Sequence, residues 1–162
     1  MRITVSFLAV IMLAGCQGSG NTPDDGGGDA GEIVCNEADF IVRGTAGGEA
    51  VSDSKTVAGQ ALVNQPGENG CYVNVYFEGG GRLRLEWENT LSNGESAPAT
   101  GSVNLEAQGG INLGSCSTGE KTSSVTLFDN GVEFVLKDLH YAPYCAAEAV
   151  SGELAGCASF VD

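Results

Sequence analysis

From Glu32 onward, apolar and polar positions alternate in short runs that Gly, Asn and Ser interrupt every few residues. No window of 11 or more residues carries a helical period, so the pattern predicts strands and turns. The clearest unit is Cys71–Glu78, a Gly79-Gly80-Gly81 turn, then Arg82–Glu88. Pairing 78 with 82 sets Phe77 opposite Leu83, Val75 opposite Leu85 and Val73 opposite Trp87 on one face. The other face then joins Glu78 to Arg82 as an ion pair and Tyr76 to Arg84 as a cation–π contact. A second hairpin is expected over Ser124–Asp129, an Asn130-Gly131 turn and Val132–Asp138, because Asn-Gly suits a two-residue turn. Its core face pairs Leu127 with Phe134 and Val125 with Leu136, while Phe128 and Val135 fall on a partly covered outer face.

Shorter strands are expected at Phe40-Ile41-Val42, Thr56–Val63 and Ser102–Glu106, the last with Val103 and Leu105 inward. The C-terminal run Glu148–Val161 has Gly152 between Val150 and Leu154, which points to a bulge or a close backbone approach. Two covered faces and frequent turns predict an all-β fold. The expected form is an antiparallel β-sandwich of about eight or nine short strands, with a closed β-barrel as the alternative.

The N-terminus follows a different rule. Ile3–Leu13 is one apolar run preceded by Arg2, the build of a secretory signal and too short for the roughly 20 apolar residues of a membrane span. It ends in Leu13-Ala14-Gly15-Cys16, and this run resembles a bacterial lipobox. The resemblance covers residues 1–16 and implies cleavage before Cys16, which would carry a diacylglyceryl thioether and an N-acyl chain such as palmitate. At about 0.8 kcal/mol per buried methylene, such chains anchor a protein stably. Gln17, in place of an Asp, implies the outer rather than the inner membrane of a Gram-negative envelope. Residues 17–31 contain no large apolar side chain and read as a flexible Gly/Asp-rich tether. The expected organisation is therefore a signal peptide at 1–15, lipidated Cys16 and tether at 16–31, and one disulfide-bearing β-domain at 32–162. Residues 32–162 carry no motif that resembles a known family.

An exported chain permits disulfides. Cys35, Cys71, Cys116, Cys145 and Cys157 remain once Cys16 is set aside, an odd number that allows two bridges and one free thiol. Cys145 and Cys157 are close enough in sequence to close a short loop, and Cys71 shares the inward face of Val73 and Val75, either bridging the core or staying a buried thiol. No CxxC spacing and a single His leave no metal site or cofactor to expect. Asp24, Asp25 and Asp29 lack the spacing of a calcium loop.

The formal charge of −14 disfavours nucleic acid and suits a cationic protein partner. For catalysis, His140 is the only histidine, and neither a GxSxG nucleophile motif nor a phosphate-cradling loop is present. A hydrolase is accordingly the weakest reading. Two groups could bind a ligand: Tyr72, Tyr76 and Arg84 on the outer face of the first hairpin, and His140, Tyr141 and Tyr144 near one loop. The chain thus reads as a lipid-anchored envelope protein, a non-catalytic binding or envelope-organising module, or alternatively an inhibitor of a cationic extracellular hydrolase. Replacing the lipid-bearing residue, Cys16→Ser, is expected to abolish acyl labelling and release the protein from membranes. Membrane pelleting that survives the substitution would contradict the anchor.

Overall fold

Alternation decides which side of each strand meets the core. In Cys71–Phe77 and Arg82–Trp87, residues 71, 73, 75 and 77 and residues 83, 85 and 87 are buried, while most polar partners between them face outward. The computed structural model describes residues 35, 38–65, 67, 70–105, 112–116, 121–143 and 145–161. The expected signal peptide, Cys16 and tether, and Tyr144, lie outside the described residues.

Among the described residues twelve strands follow in chain order: β1 Phe40–Ala46, β2 Glu49–Lys55, β3 Val57–Val63, β4 Cys71–Phe77, β5 Arg82–Trp87, β6 Glu95–Asn104, β7 Asn112–Ser115, β8 Ser123–Phe128, β9 Gly131–Leu136, β10 Leu139–Tyr141, β11 Ala149–Val150 and β12 Gly152–Ser159. All pairings are antiparallel. The fold is all-β, as the alternation predicts, with more strands than the eight or nine expected. The additional ones are short or sparsely apolar. Strand β2 buries only Val51, and β10 and β11 contribute three and two residues.

Strand β6 belongs to both halves of the molecule. Its residues 95–99 pair with β8, whereas residues 100–104 pair with β5 and residues 102–104 also pair with β7. One sheet therefore runs β6–β8–β9–β12–β1–β2 and the other β3–β4–β5–β6–β7–β10–β11. The two enclose a single apolar cluster. Phe40 of β1 joins them, its ring 4.4 Å from Phe77 of the second sheet and 6.2 Å from Phe134 of its own. A phenylalanine in such a site contributes about 3–5 kcal/mol relative to alanine.

Sandwich and barrel, held as alternatives from the sequence, merge here. Following the ring from β2 through β6 to β3 leaves one seam, between β2 and β3. Instead of a ladder to β2, β3 is tied to the segments flanking β1 and β12: Val57 N donates to Asp39 Oδ2 at 3.2 Å, and the Gln60 side chain pairs with the Val161 backbone in both directions, at 2.8 and 3.1 Å. The result is a nearly closed barrel.

Both hairpins form with their faces as expected and their registers moved by two residues. In the first, Val75 opposes Leu83, Val73 opposes Leu85 and Cys71 opposes Trp87. The turn is longer because Gly79, Gly80 and Gly81 all adopt positive φ, and Glu78 N is taken by Thr56 O. In the second, Val125 opposes Phe134 and Leu127 opposes Val132, so the turn is Asp129-Asn130. Gly131 is a strand residue instead: a Cβ there would stand 2.5 Å from Ala158 O of β12. Its missing side chain serves sheet packing rather than the turn. Gly152 is a close approach, as anticipated, since a Cβ would meet Thr45 O at 2.1 Å.

Among the described residues two disulfides form, Cys35–Cys157 and Cys116–Cys145, and Cys71 stays free and buried. A Cys145–Cys157 loop does not exist, because Cys145 lies beyond β10 on the second sheet while Cys157 pairs with Ile41 in the first. Burial pushes the Cys71 thiol above its ordinary pKa and shields it from reagents. Counting Cys16 apart, thiol titration of the oxidised, folded protein is expected to find none accessible, and unfolding without reductant to release one. Two or more accessible thiols in the folded protein would contradict this pairing.

Candidate functional site

The outer face of the second sheet is where the chemistry gathers. Pairing across four ladders sets Asn74, Arg84, Ser102, Gly114 and His140 in one row. Three strand spacings separate Arg84 from His140, roughly 14 Å. Two residue groups that are distant in sequence thus share a face.

Arg84 is held from three sides. Its Nη1 donates to Asn74 Oδ1 at 3.1 Å, its Nε donates to Glu86 Oε1, and its guanidinium carbon lies 5.1 Å from the centre of the Tyr72 ring. Asn74 is a buried polar residue on the strand between Val73 and Val75, so Arg84 satisfies an acceptor that water barely reaches. The cation–π partner is Tyr72, not Tyr76 as expected. The two-residue shift places Arg84 opposite Asn74 and Glu86 opposite Tyr72, and the same shift sets Arg82 opposite Tyr76 rather than Glu78. Tyr76 remains exposed at 43% on this face.

Beside Arg84 and Glu86 lies a cleft of about 320 Å³. Thr100, Gly101 and Ser102 of β6 and Ser115 of β7 line it with them. Here β6 leaves one sheet for the other, and Ser115 Oγ bridges the gap by accepting from Gly101 N at 2.9 Å and donating to Gly101 O. Gly101 admits no side chain, since a Cβ would meet Leu85 Cδ2 at 2.6 Å and Arg84 O at 2.7 Å. The far wall is Cys145, in a left-handed conformation (φ 64°) and bound to Cys116 just past β7.

His140 supports this wall. Its Nδ1 is 2.9 Å from Ala147 O, and since a carbonyl only accepts, the ring N–H donates to the loop that carries Cys145. Tyr141, 51% exposed, points to the opposite side as the next residue of β10. The structure therefore joins Tyr72, Arg84 and His140 on one face and separates Tyr141 from them. Asn74, Glu86, Thr100, Ser102 and Ser115 escaped the sequence reading. Alternation in β4 and β5 marks Asn74 and Glu86 as outward, but the switch of β6 leaves no periodic signal.

A second hollow, about 300 Å³, opens on the other sheet beside Arg43 and Asp53. Asp53 is engaged there by Lys55 at 3.1 Å and by Ser54 N at 2.7 Å. Among the described residues no group of three or more His, Cys, Asp and Glu is placed to hold a metal ion.

Searches against protein-family models, curated proteins and solved structures return no match for the chain. What the face does must follow from its own chemistry. The Cys116–Cys145 bond closes a segment with a sequence separation of 29. Replacing both cysteines by serine is expected to lower stability by roughly 3–4 kcal/mol on chain-entropy grounds, read from urea unfolding. A loss below about 1 kcal/mol would mean that the wall holds its position without the bond.

Proposed function

We propose that the chain is a lipid-anchored cell-envelope protein whose β-domain is a non-catalytic binding module, with the outer face of the second sheet as its binding surface. The observation that carries this reading is the fixed Arg84, locked by Asn74, Glu86 and Tyr72 at the lip of the cleft. Polar groups that converge on a concave site and are already held in place favour ligand capture, because less side-chain freedom is lost on binding. A catalytic role is disfavoured because the sequence carries no GxSxG nucleophile motif for His140 to activate. The lipobox-like Leu13-Ala14-Gly15-Cys16 supports the anchor, and Gln17 supports the outer membrane.

The charge of −14 favours a second reading, an inhibitor that captures a cationic extracellular hydrolase. The two readings separate by salt and by mutation. Full-length protein in detergent micelles is tested against solubilised envelope and secreted proteins at low and high ionic strength, with Ser102→Tyr filling the cleft and Arg84→Ala emptying its lip. Cleft-based binding is expected to persist at high salt and to fall at least tenfold in either variant. Electrostatic capture of a cationic protein would vanish at high salt, where exposed charges are screened within a few ångströms. Binding that neither variant weakens would rule out this face.

A further inference from the structure

Resting on the binding-face reading, we infer that the cleft beside Arg84 takes a neutral carbohydrate, one sugar ring at a time, by pairing vicinal hydroxyls with Arg84 and Glu86. Size is the first argument. About 320 Å³ lies at the small end of the ~300–1,000 Å³ range of small-molecule sites, which suits a ligand of one or two rings.

Charge is the second. The lip carries one guanidinium and one carboxylate already joined to each other, so its net charge is zero. The Glu86 carboxylate repels a phosphate that approaches Arg84, and the Arg84 guanidinium repels a cationic group that approaches Glu86. An uncharged ligand meets neither repulsion.

The third argument is the pattern of donors and acceptors. A guanidinium offers only donors and a carboxylate only acceptors, whereas the Thr100 and Ser102 hydroxyls do both. A pair of neighbouring sugar hydroxyls donates and accepts in the same way, and charged partners make the stronger hydrogen bonds. Cys145, which also lines the cleft, offers through its disulfide an apolar side for the C–H face of a ring. Both sides are fixed before any ligand arrives, one by the Asn74–Arg84 bond and the other by the disulfide to Cys116.

The test uses saturation-transfer NMR on the full chain in micelles, with the methyl glycosides of glucose, galactose, mannose and N-acetylglucosamine at millimolar concentration. Glucuronic acid and inorganic phosphate serve as charged probes. Glu86→Gln and Ser102→Tyr alter the cleft, and Glu133→Gln, exposed on the other sheet, is the control. Melting temperature and near-ultraviolet dichroism establish that each variant is folded. At least one neutral glycoside is expected to bind. Glu86→Gln should weaken it about tenfold or more, Ser102→Tyr should abolish it, and Glu133→Gln should leave it unchanged.

Silence from all four glycosides, a preference for glucuronic acid or phosphate, or binding that survives Ser102→Tyr would each overturn the inference. If the sugars are silent while Ser102→Tyr still abolishes envelope binding, the carbohydrate assignment falls alone. If Ser102→Tyr leaves envelope binding intact, the binding face falls with it.

Discussion

A strand that serves two sheets must change partners at a place where no side chain intervenes. In β6 that place is Gly101, pressed between Leu85 and the Arg84 carbonyl of one sheet, with Leu136 of the other 3.1 Å from where a Cβ would stand. The two apolar layers meet there because the backbone can approach that closely. Ser115 then supplies through its hydroxyl the hydrogen bonds that the local change of partner removes. The cleft is a by-product of the same event: where β8 departs and β7 begins, the outer surface is left with a notch.

Short-range alternation made much of this fold legible. Val73, Val75, Leu83 and Leu85 are buried because each occupies the same parity of its strand, and a two-residue slip preserves that parity. Face assignments therefore survived while individual pairs did not. Register was lost because distant strands set it. The Thr56 carbonyl claims the Glu78 amide, and Ala158 needs Gly131 beside it, neither of which lies within its hairpin. The disulfides were hidden for the same reason, since Cys35 and Cys157 stand 122 residues apart and meet only through the β1–β12 ladder.

For the site, the visible part was the aromatic and cationic chemistry of Tyr72 and Arg84. The invisible part was the partnership. Asn74 sits in an apolar strand as a lone polar residue, and nothing local indicates that a guanidinium ten residues later answers it. Thr100 and Ser102 are ordinary hydroxyls until the sheet brings them beside Arg84 and Glu86. Their place in the cleft comes from topology rather than from residue type, so composition and spacing leave them unmarked.

The amide of Gln60 completes the ring of strands by doing for Val161 what another peptide group would do. Two hydrogen bonds of about 1 kcal/mol each are a weak clasp beside the continuous ladders elsewhere. Around the ring, β6 stands across from that clasp, with β8, β9, β12, β1 and β2 on one side and β5, β4 and β3 on the other. Mechanically the molecule is a bound book, its spine a shared strand and its fastening two side chains, Asp39 and Gln60. Opening the covers would break the side-chain hydrogen bonds of Asp39 and Gln60, whereas parting them at the spine would break the ladders that β6 makes with β5 and β8.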